Sequence, residues 1–461
     1  MKKATKLTEV LQTLVEEPLT ADQMEEFYVD CTKGRGDNQL AKIKRQLLRV
    51  PEQKMLFCSH RGSGKSTELN RLAADEEIRE RFIPIPFSIY KELDPINLSY
   101  LDVLTVMVEQ MLQTAKSEEI KVDQFLIERI YEWAEVSEVE AIKKESSNIK
   151  ADGGAEAKTN ILGIIKLFAR IKASLKSEEE NRKTIRKVYK ANLGVLFEPI
   201  NLLIKELELG SGKKLLLIID DLEKLDPATA RGLFFEQAAQ LIRFTCHCLY
   251  TFPISLRYSP EFTDIKGYFS YVALLPMIKI NEKGGKNPHS QGIAALENVI
   301  KKRMDRRLFN DNAFNRLIEL SGGSIRDLFH ILNEAALEAE ERGDELITLA
   351  AVERGAGFVR NELADTLAER KYKDSKGNEW HLTPQGYWRV LQEIFQGNAH
   401  PPVTRELQEL LHSRCVLQYN GEQWYDVHPL LKPLCEQHLT NFQGKTFDHS
   451  SGTPSVPPFH S

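Results

Sequence analysis

An apolar run, a glycine-rich turn and a helical pattern follow one another without a break in KMLFCSHRGSGKSTELNRLAA, Lys54 to Ala74. That order admits few folds: a buried strand must pass the chain through a tight turn into a helix, which is the build of a phosphate-binding loop. Gly62 and Gly64 let the backbone curl so that successive N–H groups face one concavity, and a helix starting near Lys65 adds its positive end to the same spot. In such a site Lys65 would reach the β and γ phosphates of a nucleotide as a point charge, and the Ser66 hydroxyl would bind Mg2+. Ser59, Arg61, Gly62, Ser63, Gly64, Lys65, Ser66 and Thr67 are therefore the expected nucleotide-binding stretch. Ser59 stands where the usual pattern has its first glycine. A ligand-free turn is the competing reading.

A phosphate loop needs an acidic strand, and KKLLLIIDDLEKLDP, Lys213 to Pro227, supplies one. The unbroken apolar run Leu215 to Ile219 predicts a central parallel strand covered on both faces. At its end Asp220 would hold Mg2+ through water, and Asp221 would polarise the attacking water. Two solvated loop acids are the alternative. Asp226 and Pro227 predict a helix start, cap then first turn, for a helix over Ala228 to Phe244. A third strand follows in HCLYTFPISLRY, where Thr251 is placed to sense the γ phosphate. A fourth is expected over Tyr271 to Ile280.

Between Leu112 and Leu193 no strand signal occurs. This Lys- and Glu-rich stretch is broken by ADGGAEAK and contains NILGIIKLFARIKASLK, Asn160 to Lys176. Ile161, Ile164, Ile165, Phe168, Ile171 and Leu175 recur at helical spacing beside Lys166, Arg170, Lys172 and Lys176. Such a helix lies on a membrane, binds a partner helix, or packs inside its own insertion. With 461 residues the chain is long enough for several cores, and a net charge of −5 gives no global pull toward nucleic acid. No apolar run approaches the roughly 18 residues of a spanning helix, and MKKATKLTEV lacks the apolar centre of a signal peptide, so a cytoplasmic protein is expected. Of the six cysteines only Cys246 and Cys248, in CHC, suggest metal. Strand alternation points His247 away from both, which favours a buried strand.

From Gln291 to Gly357 the pattern is helical. Gly322 and Gly323 separate two amphipathic helices, and Arg326 falls in the first turn of the second, where a cation opposes the helix dipole and needs an anionic partner. A phosphate and a structural carboxylate both qualify. Farther on, LTPQGYWRVLQEIF with Thr383 as cap, VTRELQELLHSR, and CVLQYNGEQWYDV with its Asn420-Gly421 turn read as two helices and a hairpin, a winged helix. SSGTPSVPPFHS is expected to be a disordered tail.

The loop at Ser59 to Thr67, Asp220-Asp221, Thr251 and SGGSIRDL ahead of a winged helix together resemble the AAA+ and STAND branches of P-loop ATPases. Within them the likeness is to the origin-recognition-like clade and to bacterial STAND ATPases of conflict and defence systems. It spans the loop to the winged helix, without the insertion. The implied fold class is α/β: a P-loop NTPase parallel sheet with a helical insertion, followed by an α-helical lid and a C-terminal winged helix. The segments implied are 1–45, an N-terminal adenine-side segment; 46–280, the core with its insertion near 112–193; 281–362, the lid; 363–440, the winged helix; and 441–461, the tail.

The resemblance implies ATP/ADP and Mg2+ as ligands. It also implies that His428, just after the wing, contacts the ADP β phosphate, and that Arg35 in YVDCTKGRG lies by the nucleotide. Core or surface roles for both stay open. AAA+ motors carry Glu where this chain has Asp221, a methylene shorter, so slow hydrolysis follows. Arg243 and Arg257 are candidate fingers for a neighbouring subunit in a homo-oligomer, and a separate effector or sensor protein is the expected partner. Three functions compete. One is a switch closed by ADP and opened by ATP. The second is a DNA-binding initiator or loader, less favoured because Arg405, His412 and Arg414 stand beside Glu406, Glu409 and Glu422. The third is an ATP-binding scaffold without turnover.

Overall fold

The computed structural model describes residues 2–94, 98–145, 160–176, 179–285, 287–373, 379–420 and 424–445. Its centre is a parallel sheet of β1 (Lys54–Ser59), β2 (Phe82–Ser88), β3 (Lys214–Asp220), β4 (His247–Pro253) and β5 (Tyr271–Leu275), in the order β2-β3-β4-β1-β5. The acidic strand β3 is thus separated from β1 by β4, and all four pairings are parallel. The continuous apolar runs of β1, β3 and β4 are buried on both faces, as central parallel strands require. Met55, Phe57, Leu216 and Ile218 face α1 (Gln39–Arg49) and α2 (Lys65–Ala74), whereas Leu56, Cys58, Leu215, Leu217 and Ile219 join the larger core on the other side. Because every strand runs the same way, the turn after β1 and the carboxylates after β3 emerge at one edge, where ligands of open α/β sheets bind.

Two strands stop earlier than their patterns predict. β5 ends at Leu275 because Pro276 has no N–H to continue the ladder, and β4 ends at Pro253, after which Ile254–Arg257 makes a helical turn. The helix expected over Ala228 to Phe244 is three pieces, Pro227–Arg231, a π turn at Gly232–Glu236, and Ala238–Leu241. In CHC, His247 faces away from the cysteines: its Nδ1 accepts from the Gln53 amide at 3.3 Å and its ring meets Phe82 edge-on.

Between β2 and β3 stand α3 (Tyr100–Ser117), α4 (Gln124–Glu145), α5 (Ile161–Lys176) and α6 (Glu179–Ser211). α5 is the basic amphipathic helix, and it packs inside its own unit: Ile164, Phe168, Ile171 and Leu175 are buried, and Lys172 pairs with Glu92 at 2.5 Å and Glu109 at 2.6 Å. The ADGGAEAK break and the C-terminal tail lie outside the described residues. Among the described residues no helix is long and apolar enough to cross a membrane.

The lid consists of α7 (Ser290–Arg303), α8 (Asp311–Leu320), α9 (Ile325–Glu341) and α10 (Leu349–Asp365). A hairpin that the residue pattern did not announce, β6 (Arg370–Lys373) with β7 (Glu379–Leu382), leads into the winged helix: α11 (Pro384–Phe395), α12 (Arg405–His412), β8 (Val416–Tyr419), β9 (Trp424–Val427) and α13 (Lys432–Lys445). Thr383 caps α11 as expected, accepting from the Gly386 amide at 3.2 Å.

Gly322 and Gly323 turn the chain from α8 into α9 with φ of +60° and +84°. A Cβ on Gly323 would lie 1.8 Å from the Ile278 carbonyl oxygen, so core and lid meet there backbone to backbone. Gly323→Ala should therefore destabilise the protein by roughly 3 kcal/mol or more, read as a lowered unfolding midpoint in urea. An unchanged midpoint would mean that the lid is not seated on Ile278.

Candidate functional site

At the carboxyl edge of the sheet lies a cavity of about 900 Å³. One end is polar, lined by the turn at Gly62 to Ser66 and by Asp220, Asp221 and Glu223; the other is apolar, lined by Leu14, Leu19, Phe27, Val299 and Phe329. The apolar end is closed by the N-terminal segment and the lid, and Asn333 of α9 joins these two through a 3.0 Å bond to the Leu14 carbonyl.

The turn is curled as its glycines predict, with φ of +76° at Gly62 and +87° at Gly64. Its carbonyls are held from outside. The Gly62 oxygen accepts from the amides of Ile325 and Arg326 at the start of α9, at 3.1 and 3.3 Å, and the Ser63 oxygen accepts from the buried Arg35 guanidinium. A Cβ on Gly62 would come within 2.5 Å of Arg326 Cβ, so this close approach needs glycine. The first amides of α2, at Lys65, Ser66 and Thr67, have no acceptor within the helix and add its positive end to the cavity. The Thr67 hydroxyl, also at the cavity, accepts from the Leu19 amide at 3.2 Å.

Lys65 is buried, with its ammonium 2.5 Å from Glu223 Oε1 and 3.4 Å from Asp220 Oδ1. Burial alone would discharge it, but Glu223 and Asp220 outweigh that and hold its pKa above the ordinary value. Burial raises the Asp220 carboxyl, against the pull of Lys65. The Ser66 hydroxyl is near enough to this carboxylate to act against that rise, so the two groups expected to bind Mg2+ are neighbours. Hard oxygen donors beside a phosphate loop suit that ion.

Glu223 is the functional residue that the strand-and-motif argument missed. It is 5% exposed, and its Oε2 is buried without a hydrogen-bond partner. The signal is in DDLE: the 3-10 turn Leu222–Lys224 carries the chain back so that the third acid rejoins the first, with ligand atoms of Asp220, Asp221 and Glu223 within 4.8 Å of one another. Asp221 is turned differently. It has φ of +71°, an uncommon state for a non-glycine residue, and its carboxylate is taken by the Ser88 hydroxyl and by Lys224 Nζ at 2.6 Å. Burial works to raise its pKa, yet these partners hold it below the ordinary range.

Several expected contacts fall elsewhere. Thr251 is fully buried on β4 and its hydroxyl accepts from the Leu222 amide at 2.9 Å, so it braces the acidic turn and does not line the cavity. Ser59 is the last residue of β1 and spends its hydroxyl on the His60 carbonyl at 3.0 Å, which corrects its placement in the loop. Arg61 reaches the Lys224 carbonyl at 2.6 Å from the cavity wall. Arg35 lines the cavity as expected, and its guanidinium also buttresses the turn, bonding the Pro276 and Ser63 carbonyls. Arg326 lines the cavity and pairs with Glu16 at 2.9 Å, so a protein carboxylate is its partner here. Arg243 lies over Phe197 and Arg257 over Phe262.

The largest correction concerns His428. It is fully buried, caps the turn Pro429–Leu431, and turns Nε2 to Asp327 of α9 at 3.4 Å, away from the cavity. Asp327 is itself 0% exposed and takes a two-pronged contact from Arg414, at 3.0 and 3.3 Å. Burial opposes its charge, but Arg414 and His428 hold the carboxyl far below its usual range. The Nδ1 atom accepts from the Leu430 amide at 3.2 Å and Nε2 only approaches Asp327, so the winged helix is tied to α9 chiefly through the Arg414–Asp327 contact.

No protein-family description and no curated protein matches this sequence. Solved structures of similar overall course include the Aeropyrum pernix ORC2 protein with ADPNP and ADP, at 12% identity, 93% coverage of this chain, 99% of that one and a TM-score of 0.38. The Aeropyrum pernix ORC1 protein in complex with DNA gives 13% identity, coverages of 91% and 96%, and a TM-score of 0.37. A Thermotoga maritima RuvB variant gives 10%, 92%, 98% and 0.35. The class of the chain, a P-loop α/β sheet with a helical lid and a winged helix, rests on its own strand order and turn geometry.

Lys65→Ala should abolish binding of a fluorescent ADP. It should also strand the buried Glu223 carboxylate and the partly buried Asp220, a change that costs about 3–5 kcal/mol when one partner of a buried pair is removed. Adding Glu223→Gln should recover much of the thermal midpoint but none of the binding. ADP affinity retained by either variant would place the phosphate elsewhere.

Proposed function

We propose that this chain is an ATP-binding, slowly hydrolysing regulatory switch of the AAA+/STAND kind, with the arrangement described above as its closed form. The observation that carries this reading is the burial of the winged helix against core and lid. On α12, Leu407, Leu410 and Leu411 are buried. On the wing, Leu417, Tyr419 and Trp424 pack with Met277 of the core. The Met277 amide donates to the Gln418 carbonyl at 3.2 Å, and the Tyr419 hydroxyl to the Gly322 carbonyl at 2.7 Å. A helix and wing used to read DNA would have to leave this position first.

In the proposed reaction Lys65 binds the β and γ phosphates, and Ser66 and Asp220 hold Mg2+, which neutralises phosphate charge when bound. The water-directing carboxylate is assigned to Glu223, since Asp221 is engaged by Ser88 and Lys224. Turnover is slow in this reading because Lys65 must leave Glu223 before either group acts. ATP opens the winged helix, and the open form self-associates or recruits a separate effector, as in conflict and defence systems. The initiator or loader reading shares the ATPase chemistry but ends on DNA.

Asp327→Asn tests the two without touching the winged-helix surface. Loss of the carboxylate leaves Arg414 buried and unpaired, so the winged helix should be released. The switch reading expects faster ADP loss and self-association by light scattering, with no gain in duplex binding. Duplex binding that appears only in Asp327→Asn, at physiological salt, would favour the initiator instead.

A further inference from the structure

The turn after β1 carries a side chain at the cavity wall whose two ring nitrogens are both turned to the winged helix. His60 stands between Ser59, fixed in the sheet by pairing on both sides, and Gly62, whose carbonyl receives the lid. It is 1% exposed, and both ring nitrogens are bonded to backbone of the winged helix: Nδ1 donates to the Leu411 carbonyl of α12 at 3.1 Å, and Nε2 accepts from the Gln418 amide of β8 at 2.9 Å. These partners lie 351 and 358 residues along the chain. Arg61 adds a neighbouring contact, 3.4 Å to His412 Nε2.

We infer that His60 is a coupling residue through which phosphate-loop occupancy and docking of the winged helix set each other's equilibrium. The inference rests on the nucleotide reading of the cavity. Burial keeps the ring neutral, with its pKa pushed down to about 3, and a neutral ring with its proton on Nδ1 matches one donor and one acceptor bond. Undocking would exchange both bonds for bonds to water, at a net cost of about 0.5–1.5 kcal/mol each, while the ring stays anchored one residue from the sheet. Conversely, docking fixes His60 at one end of a turn whose other end must hold Gly62 and Gly64 at positive φ to receive phosphate. The docked domain therefore favours the phosphate-binding curl, and by linkage bound ADP favours docking to the same factor. Gln418 is suited to the contact because its N–H points outward from the β8–β9 pair, on the edge that meets the core.

Hydrogen exchange on the β8 peptide, with fluorescent-ADP titration, tests this on the full chain. In the parent, ADP should slow exchange at β8. His60→Ala should speed exchange without nucleotide, weaken ADP binding about tenfold, and erase the ADP response of β8 although ADP still binds at high concentration. Should His60→Ala fold poorly, Gln418→Pro removes the same N–H from the other side, at a strand edge where proline is tolerated, and should weaken ADP equally. Gln418→Ala, which keeps the N–H but loses a buried side chain and its bond to the Tyr419 carbonyl, should lower stability yet keep the response of β8 to ADP. ADP affinity unchanged in both His60→Ala and Gln418→Pro, or a β8 response to ADP that survives in them, overturns the coupling. A parent that binds no ADP overturns the nucleotide reading beneath it.

Discussion

A buried ammonium is expensive, and Lys65 keeps its charge inside this protein because Glu223 and Asp220 stand 2.5 and 3.4 Å away. Much of the site follows from that need. The 3-10 turn after β3 brings the third acid back beside the first, Thr251 accepts from the Leu222 amide within that turn, and Ser66 neighbours the Asp220 carboxylate. Without a ligand the cation is neutralised internally, and phosphate competes with Glu223 for it. A polyphosphate without its metal would face three carboxylates; one with Mg2+ brings the charge that makes them ligands.

The turn that holds Lys65 is gripped by three separate parts of the chain. Arg35 comes from the N-terminal segment, the amides of Ile325 and Arg326 from the lid, and Leu411 and Gln418 from the winged helix through His60. Each grip uses a backbone group, so side-chain chemistry alone gives little hint of it. Asp327, Arg414 and His428 close the circuit between lid and winged helix. The turn thus contacts the N-terminal segment, the lid and the winged helix together, and the proposed switch rests on those contacts.

How much of this was legible in the sequence depended on distance along the chain. β1, the turn, α2 and β3 were readable because a run buried on both faces, two glycines and a helix start are local signals. The winged helix was readable from its caps and hairpin, and the packing of α5 from its apolar stripe. Glu223 was missed because a turn of three residues decides which acid returns to Lys65. Asp221 was given the water because its φ of +71°, which swings it to Ser88 and Lys224, has no sequence signature outside glycine. His428, expected at the nucleotide, meets a lid carboxylate, and His60, for which the residue pattern suggests no role, meets backbone more than 350 residues away. Residue type could announce a histidine at the interface but not which surface it faces.

The central claim is that nucleotide state and seating of the winged helix are one equilibrium. All six native cysteines are buried, so single dyes can be placed at Arg45→Cys on α1 and Arg389→Cys on α11. Energy transfer between them, measured with Mg2+ and either ADP or a non-hydrolysable ATP analogue, reads the seating directly. One compact distance is expected with ADP and a longer one with the analogue. The same distance in both states, with both nucleotides shown to be bound, would contradict it.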